Sequence, residues 1–212
     1  MPSDHAHLRR LLSQRNQYPE LAAGIDAEID RSFRRKLAPL VLDMCGFSRM
    51  TAEHGVIHFL AMVRQMEEAA CPAIGANGGL VVKQEADNLF AAFAEPCAAL
   101  ESAMDIIRAA EAMNAVLPAE RAVQVSIGIG YGDTLLIEGE DMFGHEMNTA
   151  CKLGEDVAGK MEILLSTAAF AALPQGRYDC EAASTLIGGA AVTYYRFRAS
   201  LHRRRAHPER GM

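Results

Sequence analysis

"PLVLDMCGFSRM", Pro39 to Met50, decides how the chain is read. Pro39-Leu40-Val41-Leu42 is a short apolar run of the kind that forms a buried strand, and one carboxylate, Asp43, follows where that strand should stop. Gly46 then releases the backbone, and Phe47-Ser48 lead into a helical pattern. An acid at the mouth of a sheet is either a cap or turn residue or a metal ligand. The stretch alone leaves both readings open.

Upstream, residues 1 to about 17 carry little pattern, and Leu21, Ile25, Ile29 and Phe33 then fall four apart as one stripe of an amphipathic helix. That stripe needs a partner, either its own domain or a second copy. Downstream, Ser48 and Thr51 can open a helix whose apolar face is Ile57, Leu60, Val63 and Met66, until "GANGG" (Gly75–Gly79) breaks it. "LVVKQEADNLFAAF", Leu80 to Phe93, reads as two strands with a tight turn around Glu85-Ala86-Asp87-Asn88. An alanine-rich helix over about Pro96–Leu117 follows, then a cleanly alternating strand, "AVQVSIGIGYG", over Ala122–Gly132. A looser segment spans 133–143, a short helix lies around 145–157, and strands are expected at 162–166 and 191–198. The order strand–helix–strand–strand–helix–strand predicts an α+β fold, a ferredoxin-like βαββαβ core with helices on one face, an N-terminal helix and C-terminal strands. The expected division is an N-terminal helical segment over 1–36, a main domain over 37–199 and a basic, disordered tail over 200–212.

The composition is that of a globular protein: 212 residues, half of them hydrophobic and 23% charged. No apolar run approaches the ~20 residues of a membrane span, and "MPSDHAHLRRLL" lacks the apolar region of a secretory signal. The five cysteines, Cys45, Cys71, Cys97, Cys151 and Cys180, are odd in number and form no CxxC pair, which argues for reduced thiols and a cytoplasmic setting. A net charge of −6 does not support a nucleic-acid footprint. His54 and His58 stand four apart on a helix without a third ligand and read as surface residues.

In the predicted topology the first strand and the hairpin are neighbours, so Asp43 and Asp87 project at the same edge. Two such carboxylates repel unless a cation lies between them. Oxygen-only donors suit magnesium or manganese, with substrate phosphates filling the remaining positions. The turn Met44-Cys45-Gly46-Phe47-Ser48 adds backbone N–H groups at a helix start, a cradle for anionic phosphates.

These residues resemble a family. "VLDMCGFSRMTAEHG" is similar to the opening signature of class III nucleotidyl cyclase catalytic domains, and "GGLVVKQEADNLFAAF" to their hairpin. "VQVSIGIGYGDTLLIEGEDMFGHEMNTACKLGEDVAGKMEILLS" resembles the strand, loop and helix that follow, so the match runs in order from about Leu37 to Ser166. The resemblance implies an adenylate cyclase, converting ATP to 3′,5′-cyclic AMP and pyrophosphate in a cleft between two catalytic domains of a head-to-tail homodimer. Asp43, the Met44 backbone and Asp87 would hold two Mg2+ or Mn2+ ions per site on the triphosphate. Gly46, Phe47 and Ser48 would seat the phosphates. Lys83 and Asp141 match the base-reading positions, where lysine goes with adenine. Asn148 would orient the ribose. Lys152, four residues on, holds the position where the family usually has a transition-state arginine; it keeps the charge but not the bidentate fork.

The departures support a second reading, a degenerate cyclase-like module that binds nucleotide, dimerises and regulates a partner. Besides Lys152, Ala86 stands where the family has glycine, and the hairpin "CEAASTLIGGAAVTYYRFR" lacks the usual Lys-Gly segment. Glu85, usually apolar in the family, reads as a solvated turn residue. A guanylate cyclase is a lesser alternative, disfavoured by Lys83.

Overall fold

The computed structural model of the chain describes residues 4–200, so the basic tail expected over 200–212 lies outside them except for Ser200. Strand β1, Arg34–Met44, is the frame of the fold. Its first residues, Arg34 to Leu37, pair with β5 (Gly132–Ile137). Ala38 to Leu42 pair with β3 (Asn88–Phe93) on one edge, and Leu40 to Met44 with β4 (Val125–Ile129) on the other, all antiparallel. Both faces of β1 are covered, which is why its apolar run shows no polar alternation. Leu40 and Leu42 enter one core with Phe59, Met62 and Met66 of α4 (Val56–Ala76) and Leu100 and Ile106 of α5 (Pro96–Asn114). Val41 faces the other way, into a cluster with Phe90, Met147 and Ala150.

Among the described residues nine strands form one sheet. Its main path runs β2 (Leu80–Glu85), β3, β1, β4, β7 (Ile163–Ser166), β9 (Ala190–Ser200), β8 (Tyr178–Ile187). The path β2-β3-β1-β4, with α4 and α5 on one face, is the ferredoxin-like core read from the sequence. β4 and β7 pair in parallel, and β7, β9 and β8 extend the sheet as an antiparallel set. β6 (Asp141–Phe143) pairs with β5, so the looser segment 133–143 is a second small hairpin. The opposite face is not bare: α6 (His145–Cys151) covers it and continues as a π-turn over Lys152–Val157. The short helix α7 (Thr167–Ala171) follows β7.

Three local readings change. Residues 1–17, without visible pattern, contain α1 (His5–Gln17), capped by Asp4 and burying only His7, Leu8 and Leu11. Two apolar contacts in thirteen residues are too sparse to show a period. They meet Ile29 and Phe33 of α2 (Ala22–Phe33) and Ile137 of β5, so the four-spaced stripe is satisfied within its own chain, apart from Leu21, which is 55% exposed. The helix expected after Ser48 is broken at Gly55, φ +84°, into α3 (Phe47–His54) and α4. The break sets a new phase. Phe59, Met62, Val63 and Met66 turn inward, while Ile57 is 82% exposed and Leu60 also faces out.

The β2–β3 hairpin turns on two residues, Ala86 and Asp87, because Glu85 pairs directly with Asn88. Ala86 has φ +54°, a left-handed conformation in which its Cβ is crowded. Ala86→Gly removes that crowding at the cost of some backbone entropy. It is expected to stabilise the fold by about 0.5–1 kcal/mol, read as a melting temperature higher by roughly 1–4 °C. An unchanged or lower melting temperature would contradict the strain.

Candidate active site

Asp43 lies one residue before the end of β1, opposite Ser126 of β4, on the same face as Val41. Asp87, the second turn residue of the hairpin, is 9% exposed. The Asp43 carboxyl is pushed up to about 7, first by burial and then by the neighbouring charges of Asp87 and Glu155; the Met44 N–H, donating to it, pulls the other way. Burial raises Asp87 as well, and Glu155 rises through burial and then the charge of Asp156. Four acids thus share one field. Glu155 and Asp156 come from the π-turn behind α6, and no spacing in the sequence ties them to Asp43.

This donor set fits a hard divalent cation. It is oxygen-only, partly desolvated and self-repelling, so a cation relieves what burial and mutual charge impose. Among the described residues no three His, Cys, Asp or Glu side chains converge into a complete metal cage. A cation held here would take its remaining ligands from outside these side chains, as magnesium ordinarily does.

Beside the acids, Gly46 at φ +89° caps α3 without a side-chain bond. The Cys45 N–H is already donated to the Gln124 carbonyl, 2.8 Å, so it does not belong to the expected phosphate cradle. The first helical bond is Met50 N–H to Gly46 O, 3.1 Å. The N–H groups of Phe47 and Ser48 therefore stand at an open helix start; the side chains of these two residues lie outside what the structure describes. Met44, proposed to contribute its backbone, pairs with Val125 in the ladder.

On the other side of the hairpin, Lys83 Nζ lies 3.0 Å from Asp141 Oδ1 and 3.2 Å from Glu85 Oε2, and 4.7 Å over the ring of Phe90. A register shift between Val81 and Lys83 re-aims this side chain. Asp141 Oδ1 also accepts the Met142 N–H, 2.8 Å, which fixes its carboxylate. Burial works against the Lys83 charge, but the hydrogen bonds to Asp141 and Glu85 outweigh it and raise the lysine. Glu85, read as a solvated turn residue, is exposed but belongs to this group.

Asn148 and Lys152 are placed by how α6 lies on the sheet. A Cβ at Gly128 would stand 2.1 Å from the Ala150 carbonyl oxygen and 2.5 Å from the Gly154 nitrogen; one at Gly130 would stand 2.3 Å from the Glu146 carbonyl oxygen. Helix and strand therefore touch backbone to backbone. Glu146 fastens the start of α6, accepting from Tyr131 N–H at 3.0 Å and Ser166 Oγ at 2.5 Å. Sequence reading missed this anchor. Asn148 and Lys152 are exposed, and Lys152 Nζ pairs with Asp156 Oδ2 at 2.9 Å. That pairing holds the lysine proton more firmly than usual. Among the described residues no ion pair joins Lys83 or Lys152 to Asp43 or Asp87. The metal-type acids and the base-type cluster are separate groups within one chain.

Comparison with known proteins finds similarity to nucleotidyl cyclases. Over 124 residues, 58% of the chain, the sequence is 34% identical to "Putative adenylate cyclase 3" of Rhizobium meliloti (strain 1021). The fold superposes on an adenylate/guanylate cyclase/hydrolase from Silicibacter pomeroyi with a TM-score of 0.64, 27% identity, and coverage of 79% of this chain and 98% of that one. The chain folds as a class III nucleotidyl cyclase catalytic domain. The catalytic core of a rhodopsin-guanylyl cyclase with converted specificity, in complex with ATPαS, shares the cyclase fold at TM-score 0.67 and 15% identity, with coverage of 79% and 98%. The match to the R. meliloti protein covers 21% of that protein's length. No protein-family model matches the chain.

The raised Asp43 makes a pH prediction. Its folded value, about 7, stands above the ordinary 3.8, so the native state holds a proton that the unfolded chain has lost. Stability therefore falls as pH rises from about 4 to 7 and is flat above. Melting temperatures of the protein and of Asp43→Asn without divalent ions should diverge across that window, with the asparagine variant higher at pH 8. Adding Mg2+ should close the gap. Parallel curves would show that Asp43 is not in the acid field.

Proposed function

We propose that the chain is the catalytic domain of an adenylate cyclase, acting as a homodimer on ATP with Mg2+ or Mn2+. The observation that carries this reading is the Lys83–Asp141 pair at 3.0 Å, set apart from the Asp43–Asp87 acids on the same domain. An ammonium beside a carboxylate matches adenine, whose N1 accepts a hydrogen bond and whose 6-amino group donates one. With the acids and the base reader apart in one chain, two copies set head to tail bring the acids of one to the base reader of the other, giving two equivalent sites.

In such a site Asn148 orients the ribose so that its 3′-hydroxyl lies in line with the α-phosphorus. The O3′–Pα bond forms as the bond to pyrophosphate breaks, and the hydroxyl proton leaves. Lys152, released from Asp156, places positive charge where the phosphoryl oxygens gain negative charge, an interaction that matters most in the transition state. The open N–H groups after Gly46 receive phosphate oxygens. Divalent ions bound by Asp43 and Asp87 would supply Lewis-acid charge to the triphosphate. The Lys152–Asp156 pair is also what favours the alternative, a nucleotide-binding dimerisation module with little turnover, because the one cation available at that position is engaged by its own chain.

Purified protein with ATP and Mn2+ or Mg2+ is expected to form cyclic AMP, and Asp43→Asn to form none above background. Lys152→Ala should lower turnover by about a hundredfold. If the protein forms no cyclic AMP while Lys152→Arg does, the alternative module is the correct reading.

A further inference from the structure

Glu85 lies outside the set of residues the proposed function uses, yet its carboxylate shares the Lys83 ammonium with Asp141. Strand alternation explains why: Lys83 and Glu85 are two apart on β2 and emerge on one face, whereas Asp87 lies around the turn. Lys83 offers three N–H donors. Two are committed, one to each carboxylate, and the ring of Phe90 lies under the ammonium. Asp141 Oδ1 is also committed to the Met142 N–H, while Oδ2 and Glu85 Oε1 have no partner among the described residues. The cluster therefore presents one spare donor flanked by two carboxylates.

The two purines differ in what they ask of such a cluster. Adenine needs one donor for N1 and one acceptor for its 6-amino group, which Lys83 and Asp141 meet without Glu85. Guanine needs one donor for O6 and two acceptors, for N1–H and for the 2-amino group. Asp141 Oδ1 already faces both Lys83 and the Met142 N–H, so Asp141 brings only Oδ2 to the two guanine N–H groups and would crowd both onto one oxygen. Glu85 Oε1 supplies a second free acceptor oxygen, one for each guanine N–H.

We infer that Glu85 is a specificity-determining residue that opens the base site to guanine, so that the chain takes both ATP and GTP. The inference rests on the base-reading role proposed above for Lys83 and Asp141. The reaction with GTP is the same balanced step: O3′–Pα forms, the bond to pyrophosphate breaks, and the hydroxyl proton is released, giving cyclic GMP. Glu85 is exposed at the end of its strand, so Glu85→Leu, which restores an apolar residue there, leaves the fold intact.

The test compares cyclic AMP and cyclic GMP formation by the protein and by Glu85→Leu. It adds equilibrium binding of 3′-deoxy-ATP and 3′-deoxy-GTP, which lack the attacking hydroxyl. The wild-type kcat/KM values for ATP and GTP are expected within roughly tenfold of each other, and Glu85→Leu should lower that for GTP by at least about tenfold while changing that for ATP by less than about threefold. Binding of the two deoxy nucleotides should follow the same pattern. Use of ATP with no use or binding of GTP overturns the inference and leaves the adenylate cyclase reading standing. A GTP-to-ATP ratio unchanged by Glu85→Leu also overturns it. Binding of neither nucleotide overturns both.

Discussion

The site depends on a contact in which no side chain takes part. Helix α6 and the π-turn after it lie on strand β4 so closely that a single Cβ at Gly128 or Gly130 would overlap the helix backbone. Gly154 repeats the condition from the helix side, where a Cβ would stand 2.9 Å from the Val41 carbonyl oxygen. Three glycines therefore set the height of α6 above the sheet, and Glu146 sets its start. Asn148 and Lys152 inherit their positions from that seating, and so do Glu155 and Asp156. The last two reach the field of Asp43, which lies on the neighbouring strand. One backbone contact thus couples the groups proposed for ribose and phosphate to the acids proposed for metal.

The electrostatics then follow from placement. β1 is hydrogen-bonded on both edges over Leu40–Leu42, so the backbone that carries Asp43 is held beside the hairpin that carries Asp87. A rigid frame that holds like charges together stores repulsion, and a divalent cation is the natural relief. The positive side chains provide it only in part, where Lys152 pairs with Asp156 and eases Glu155. Lys83 is taken by Asp141 and Glu85, and Lys152 by Asp156. The base-type cluster sets one lysine against two carboxylates, and among the described residues Asp43 and Asp87 have no cation of their own, so both groups keep an excess of negative charge.

The core was legible in the sequence because its signals agreed at several levels. The apolar run at Leu40–Leu42 is a strand buried on both faces, the turn at Ala86-Asp87 fixes the hairpin, and the strand read over Ala122–Gly132 is present as the shorter Val125–Ile129, buried on both faces rather than alternating. Convergence of Asp43 and Asp87 followed from topology alone, since the first strand and the hairpin are neighbours. The Lys83–Asp141 pair was reached only through the family resemblance, because 58 positions separate the two residues and no period links them. What was misread has local causes. α1 buries too few apolar residues to show a period, Gly55 resets the helical phase, and a π-turn carries Glu155 and Asp156 to the acids. Glu85 was legible after all: the two-residue strand period puts it beside Lys83, and attention to the turn obscured that.

The central claim is that one chain carries both halves of a site that only two copies complete. Mixing two variants tests it most directly. Asp43→Asn keeps the base-reading half, Asn148→Ala keeps the acid half, and each alone should be inactive in every dimer. Equal mixing, with subunit exchange, places one intact site in the mixed dimers, so cyclic AMP formation should recover to about a quarter of the unmodified protein's level. No recovery, with subunit exchange shown independently, would contradict the claim.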